Sequence, residues 1–354
     1  MIYFDHAATA PLHPKAKEAM AEAMEVLGNP SSLHTAGSGA KRLLEQSRAT
    51  VAEALGCEPA EILFTSGGTE ANALALHGRR KILASPMEHP SVAGNVKGTP
   101  YLPVTPKGVV SLEKAEALLR EGVELVSLQH ANNETGLIQP IEELGALCQA
   151  YGVPFHSDGV QAVGKLPICL HRLPISLYSF SAHKFGGPAG IGGLYRKSGT
   201  AIEPLYRGGM QEQGLRPGTE SVLLACGMAA ALQAVTEELA ETAAYLTDLG
   251  EELLRGLCAF GAVPTGEGDR IPGHLHVSFP HRDGEALVSA LDLRGVCLSA
   301  GAACHSHSHT PSSTLLAMGF AKEEASAGLR ITLGRENTRQ EIQTFLGLLA
   351  DCLK

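Results

Sequence analysis

This chain of 354 residues has no block of basic residues, no Cys-x-x-Cys pair, no internal repeat and no low-complexity linker. Its formal net charge is −9, so a surface for nucleic acid or an anionic membrane would have to be local, and none is expected. The eight cysteines, Cys57, Cys148, Cys169, Cys226, Cys258, Cys297, Cys304 and Cys352, are scattered, which argues against a zinc ribbon or a disulfide scaffold. Most are read as small buried hydrophobes. Long apolar runs are also missing: the longest uncharged helical stretch, Ser221 to Thr236, is rich in small residues and too short to span a bilayer comfortably. It reads as a core or subunit-contact helix. The opening Met1-Ile2-Tyr3-Phe4-Asp5-His6 has neither a basic region nor an apolar stretch of signal-peptide length, and a cytoplasmic location is expected.

Charged residues are few, at 18%, against 44% hydrophobic, a balance that suits a well-buried enzyme; 40 glycines point to many tight turns. The length exceeds what one core usually fills, so two domains, or a large one with a smaller appendage, are expected. Helical periodicity runs from about Pro14 to Leu27 and again, after Gly37-Ser38-Gly39, through Leu43, Leu44, Val51 and Leu55. Short β-like runs then alternate with helical stretches: 62–65, 81–84, 125–128, 153–156, 177–181 and 193–195. Such alternation predicts an α/β fold with a mainly parallel, doubly wound sheet covered on both faces. A long Ala-rich helical region from about Glu220 to Phe260 follows. Strand-like His274 to Phe279 and Leu329 to Leu333 and a terminal helix Arg339 to Cys352 suggest a smaller α+β domain. The N-terminal segment is compatible with packing on either part.

Several polar groups follow the β-like runs, where ligands gather in open α/β sheets. Lys184 closes Ser181-Ala182-His183-Lys184, and Asp158 sits in His156-Ser157-Asp158-Gly159-Val160-Gln161. Taken singly, a lysine in a Gly-rich loop is a solvated residue and an aspartate after a strand is a helix cap. Together they supply an amine for a Schiff base and a carboxylate for a pyridine nitrogen, the needs of pyridoxal 5'-phosphate. The run Phe64-Thr65-Ser66-Gly67-Gly68-Thr69-Glu70-Ala71-Asn72 passes from strand through glycines into a helix, which is an anion site in physical terms and otherwise an ordinary cap. His89, one of 15 histidines, is placed to lie against a cofactor ring or to move protons, with a structural role as the alternative. Gln161 lies three residues beyond Asp158 and shares its face in a helix. Asn132-Asn133-Glu134-Thr135-Gly136 reads as a turn at least. Arg330, inside an apolar strand pattern, needs a partner: a substrate carboxylate, or a buried structural ion pair.

The chain resembles the cysteine desulfurases of the NifS/IscS type, within the fold-type-I pyridoxal phosphate enzymes related to class V aminotransferases. The resemblance runs end to end, through Asp5-His6-Ala7-Ala8-Thr9, Gly28 to Ser32, Thr65 to Asn72, Asn132 to Gly136, Ser181 to Lys184, Arg216-Pro217-Gly218-Thr219-Glu220, the Cys304 loop and Arg330 to Arg335. It implies a large cofactor-binding domain over residues 14–250 and a small domain of residues 1–13 and 251–354 carrying the cysteine loop and Arg330. Lys184 would be the Schiff-base lysine, Asp158 the pyridinium partner, His89 the ring-stacking group and Gln161 the donor to the phenolate oxygen. Gly68, Thr69, Ser181 and His183 would hold the phosphate, with Thr219 reaching in from a neighbouring subunit of a homodimer. Asn133 and Arg330 would bind the carboxylate of L-cysteine. Cys304 would take the substrate sulfur as a persulfide, release alanine and deliver the sulfur to an acceptor protein, for iron–sulfur cluster assembly or thiolation.

Departures from the family pattern are His6 for Asn, Ala302 for Ser before the cysteine, Ala189 for Lys and Met210 within a triple glycine. None removes a group the chemistry requires, while His6 and Ala302 are expected to bear on substrate preference or rate. His305, next to Cys304, is a candidate source of positive charge for the thiolate. His305, His307 and His309 beside Cys304 form a conceivable metal set, but a flexible polar loop is the preferred reading and no metal is expected. Rival activities are selenocysteine lyase and class V transamination; a non-catalytic sulfur-transfer scaffold ranks last.

Overall fold

The structure, a computed structural model, describes residues 1–96, 100–301 and 311–354. Cys304 and the three neighbouring histidines therefore lie outside the described residues. A short N-terminal strand, β1 (Ile2–Tyr3), precedes two helices, Pro14–Met24 and Thr35–Leu55. Six strands then build the central sheet: β2 (Ile62–Thr65), β3 (Ile82–Ala84), β4 (Leu125–Ser127), β5 (Phe155–Asp158), β6 (Leu177–Ser181) and β7 (Gly192–Arg196). Their order is β2-β7-β6-β5-β4-β3. The pairs β3–β4, β4–β5 and β5–β6 are parallel, and β7 alone runs against both its neighbours. The mainly parallel sheet expected from the sequence is present, with strand ends shifted by one or two residues; the third expected run, for example, ends at Ser127 and the fourth extends to Asp158.

Strand alternation divides the sheet's side chains between two layers. Ile62, Phe64, Val126, Tyr178 and Phe180 join one buried cluster with Leu44, Val51, Leu55, Met228 and Leu232 of the long helices. Leu63, Leu125, Leu177 and Leu194 join a second cluster with Ala71, Leu74 and Ala75 of the helix Gly68–Leu76. Both faces are covered, which is why these strands read as nearly continuous apolar runs.

The Ala-rich region is two helices, Val222–Glu237 and Leu239–Ala259, bent by 69°. The junction residue Glu238 accepts from Arg335 Nη1 at 2.5 Å and lies 3.8 Å from His13 Nε2. Beyond the bend, Leu246, Leu249, Leu253 and Leu257, three or four residues apart, pack into another cluster with Phe4, Leu275, Val277, Leu329, Ile331 and Phe345. Here β8 (Val263–Pro264), β9 (His274–Ser278) and β11 (Gly328–Thr332) form an antiparallel sheet in the order β11-β9-β8, while β1 pairs with β10 (Val296–Cys297). The N-terminal segment joins this cluster: Phe4 donates its amide to Cys297 O, Thr332 donates to Phe4 O, and the Phe4 and Phe345 rings meet edge to face at 5.5 Å. The closing helix Arg339–Leu353 starts at a Thr338–Glu341 capping box. Among the described residues no single helix is long and apolar enough to cross a membrane.

Candidate active site

The loops leaving the carboxyl ends of β2, β3, β4, β5 and β6 enclose a cleft of about 310 Å³ lined by Gly68, Thr69, His89, Asn133, Asp158, Gln161, Ser181, His183, Lys184 and Arg330, among others. This is where a doubly wound sheet places ligands. Ten positions singled out in the sequence meet here. Thr219 does not; it is exposed and lines a separate cleft with Ser66, Gly190 and Arg216.

Asp158 ends β5 and is buried at 6% exposure. Its Oδ1 accepts from Val160 N at 3.0 Å and its Oδ2 from Asn72 Nδ2 at 2.6 Å. Asn72 also donates through Nδ2 to Ser91 Oγ at 2.8 Å, and Ser91 Oγ lies 2.7 Å from His89 Nδ1. His89 caps the short helix that follows it by accepting from Ser91 N. The carboxylate and the imidazole are thus joined through two side chains from different elements. Behind Asp158, burial pushes the Tyr178 phenol well above its usual range and holds His130 down at about 4. Those rings hydrogen-bond each other at 2.7 Å. Glu88 is also raised well above the carboxylate range, first by burial and further by the Asp158 charge, although Gln129 N donates to it.

Lys184 ends a single 3-10 turn after β6, and its Nζ donates to the carbonyls of Ala7 and Ala8 at 2.7 and 2.8 Å. Gln161 donates through Nε2 to the same Ala7 carbonyl and accepts through Oε1 from Lys165 Nζ, both at 2.9 Å. Burial, followed by the charges of Lys184 and Arg330, brings the Lys165 amine down to about 7. His183 falls to about 4 for the same kinds of reason, burial first and then Lys184 and Lys165. It therefore meets the cleft as neutral imidazole at neutral pH, still a hydrogen-bond donor.

At the other end of the cleft the helix Gly68–Leu76 begins directly after β2, with Gly67 as its cap. Its first-turn amides have no partner within the helix, and together with the macrodipole they favour an anion. Glu70 fixes this entry: it accepts from Ser66 N at 2.6 Å and from Arg216 Nε at 2.9 Å. The strand β7 presses close, for a Cβ on Gly192 would lie 2.5 Å from Phe180 O and 2.8 Å from Gly67 Cα.

Arg330 is 2% exposed, with Nη2 donating to Asp5 Oδ1 at 2.7 Å and Ser299 Oγ at 3.1 Å, and Nη1 to Asn133 O at 3.0 Å. Its Nε is buried without a partner among the described residues. Both alternatives left open by the sequence thus meet in one residue: a structural ion pair is present, and the guanidinium lines the cleft as well. Asn72, Ser91, Lys165 and Asp5 were not assigned roles from the sequence. The available signal was a polar Asn inside the apolar helix run Ala71 to Leu76, where a buried amide needs partners.

The residues present fit pyridoxal 5'-phosphate. An amine, a buried carboxylate fixed by two donors, a half-buried imidazole and an anion-favouring helix terminus line the same cleft, which is the donor set that cofactor requires.

Comparison with known proteins agrees with this chemistry. The family model described as Aminotransferase class-V matches residues 2–345. An IscS-like cysteine desulfurase of Mycobacterium tuberculosis is 38% identical over 374 residues, taking in 99% of this chain and 95% of that protein. A solved structure described as a NifS-like protein superposes with a TM-score of 0.93 at 36% identity and 99% coverage of both chains. Another, SspA in complex with cysteine, superposes with a TM-score of 0.79 at 28% identity, covering 96% of this chain and 100% of that one.

Proposed function

The chain belongs to the aminotransferase class-V family and within it to the cysteine desulfurases, and from that membership we propose how its cleft converts L-cysteine to L-alanine and transferable sulfur. The observation that carries the reading is the convergence of Lys184, Asp158 and Arg330 on one cleft at the carboxyl edge of the sheet. Pyridoxal phosphate, when bound, supplies an electron sink for the pair left at the substrate α-carbon.

Lys184 would hold the cofactor through its amine, and the same amine, when free, would carry the substrate α-proton. The carbonyls of Ala7 and Ala8, which line the same cleft, give that amine acceptors. Asp158, its carboxylate steadied by Val160 N and Asn72, would keep the pyridine nitrogen protonated. Gln161 would present its amide nitrogen to the phenolate oxygen, an orientation favoured by Lys165, whose amine occupies the Oε1 side. His89 would lie against the ring. Gly68 and Thr69 at the helix terminus, with Ser181 and His183, would hold the phosphate. Asn133 and the fork of Arg330 bind the substrate carboxylate, the partly engaged guanidinium being held in place by Asp5 and Ser299.

Cys304, outside the described residues, attacks the substrate sulfur as thiolate: the persulfide S–S bond forms as the substrate C–S bond breaks, the pair stays with the three-carbon unit, and that unit takes up a proton and leaves as alanine. Delivery to an acceptor protein follows. Thr219 completes the phosphate site of a second copy, a homodimeric arrangement consistent with its absence from the cleft of its own chain. A cytoplasmic, reducing location suits a thiolate nucleophile and the seven described cysteines, all unpaired.

The test is alanine release from L-cysteine by the cofactor-loaded protein and by Cys304→Ala under reducing conditions, with L-selenocysteine in parallel. Turnover of cysteine lost in the variant supports the reading. Equal turnover in both proteins removes the persulfide role of Cys304. Turnover of selenocysteine alone moves the assignment to a lyase.

A further inference from the structure

We propose that Ser91 is a positioning residue that fixes His89 in the tautomer with its proton on Nε2, through an order of hydrogen bonds imposed by Asp158 and relayed by Asn72. The inference rests on the proposed placement of His89 against the cofactor. Both oxygens of Asp158 are acceptors here, one from Val160 N and one from the Asn72 amide at 2.6 Å. The Asn72 atom facing the carboxylate must therefore be nitrogen, since an amide oxygen would meet it with like charge. That orientation holds although it leaves Asn72 Oδ1 buried with no partner among the described residues. The same nitrogen lies 2.8 Å from Ser91 Oγ, so Ser91 accepts there and its hydroxyl proton points onward.

The nearest onward group is His89 Nδ1, 2.7 Å from Ser91 Oγ. The Ser91 amide also donates to Nδ1, at 3.2 Å. Two donors converge on one ring nitrogen, so Nδ1 carries the lone pair and Nε2 the proton. This distribution of protons satisfies all five contacts at once. A cofactor or substrate facing the ring then meets a defined donor. The consequence is that the negative charge assigned to the pyridine nitrogen also sets the proton of the histidine assigned to the ring, through Asn72 and Ser91.

The test uses the full chain carrying ¹⁵N-labelled histidine, first without cofactor, with the His89 signals identified by their loss in His89→Gln. The expected spectrum shows Nδ1 as the unprotonated and Nε2 as the protonated nitrogen. Ser91→Ala removes the shorter of the two Ser91 contacts at Nδ1, and its His89 signals are expected to move towards a mixture of tautomers. Ser91→Thr, which keeps the hydroxyl, is expected to restore the parent pattern. In the loaded enzyme, Ser91→Ala is expected to lower kcat about fivefold to tenfold, the effect of one lost hydrogen bond, with KM for L-cysteine unchanged. A parent spectrum with the proton on Nδ1, or one that Ser91→Ala does not alter, overturns the proposal. A changed tautomer with unchanged turnover supports the tautomer control and instead overturns the assignment of His89 to the reaction.

Discussion

Arg330 shows how a single side chain serves both the fold and the proposed chemistry. Taking a guanidinium to 2% exposure is expensive unless its donors are used, and Asp5, Ser299 and the Asn133 carbonyl use Nη1 and Nη2 from three separate chain segments. A lysine offers one point charge instead of a planar fork and cannot keep these partners together with a substrate carboxylate. Arg330→Lys is expected to raise KM for L-cysteine about tenfold to a hundredfold, the loss of one or two charge-assisted bonds, with a smaller change in kcat. Steady-state kinetics decide this; an unchanged KM would remove Arg330 from substrate binding. The sequence flagged Arg330 by its apolar surroundings. It gave no means of choosing Asp5 as partner, because that pairing joins residues 325 positions apart.

Among the elements, β7 and the N-terminal segment carry the clearest consequences. The reversed strand β7 fills the gap between β2 and β6 and brings Gly192 against the loop before the helix Gly68–Leu76. Because the obstructing atoms are backbone, Gly192→Ala forces the strand or the loop to move. An overpacking cost of about 1–3 kcal/mol is expected, read as a lower urea midpoint, together with weaker cofactor retention in a dialysis titration. The residue pattern left the N-terminal segment compatible with either part, and only the family resemblance assigned residues 1–13 to the small domain. In the structure Phe4 is fully buried against Phe345 and sits one residue before Asp5. Phe4→Ala is expected to cost about 3–5 kcal/mol in urea unfolding, an outcome that a surface role for this segment could not produce. The single helical region expected from Glu220 to Phe260 is two helices, since the bend at Glu238 carries the chain from one buried cluster to the other.

Across the whole molecule, buried histidines govern the response to acid. Burial holds His130 at about 4 and His156 and His276 at about 3, against 6.5 for an ordinary histidine. Below about 6.5 the unfolded chain therefore binds protons that the native protein refuses, so stability falls as pH falls, each group contributing at most about 1.4 kcal/mol per pH unit. Glu88, raised by burial, acts in the opposite sense: the native protein keeps a proton there that the unfolded chain releases. With these three histidines, His183 and His274 all held low against one raised carboxyl, a net uptake of about four protons on unfolding is expected between about pH 6 and pH 5. Urea midpoints measured across that window check it, and a midpoint that rises on acidification would contradict the assignment of these imidazoles as buried and neutral.

The sequence by itself determined the alternation of short apolar strands and helices, and with it a doubly wound α/β architecture, because strand and helix periodicities are local properties. It also determined the types of group at the site, since Lys184, Asp158, His89 and the Gly67-Gly68-Thr69 turn each follow a strand, and strand ends in such a sheet share one edge. What only the tertiary structure decided is which groups touch. The pairing of Arg330 with Asp5 and the line from Asp158 through Asn72 and Ser91 to His89 join residues from separate elements. No periodicity encodes such contacts; they exist because the packing of the sheet, its covering helices and the N-terminal segment brings those side chains within hydrogen-bond distance.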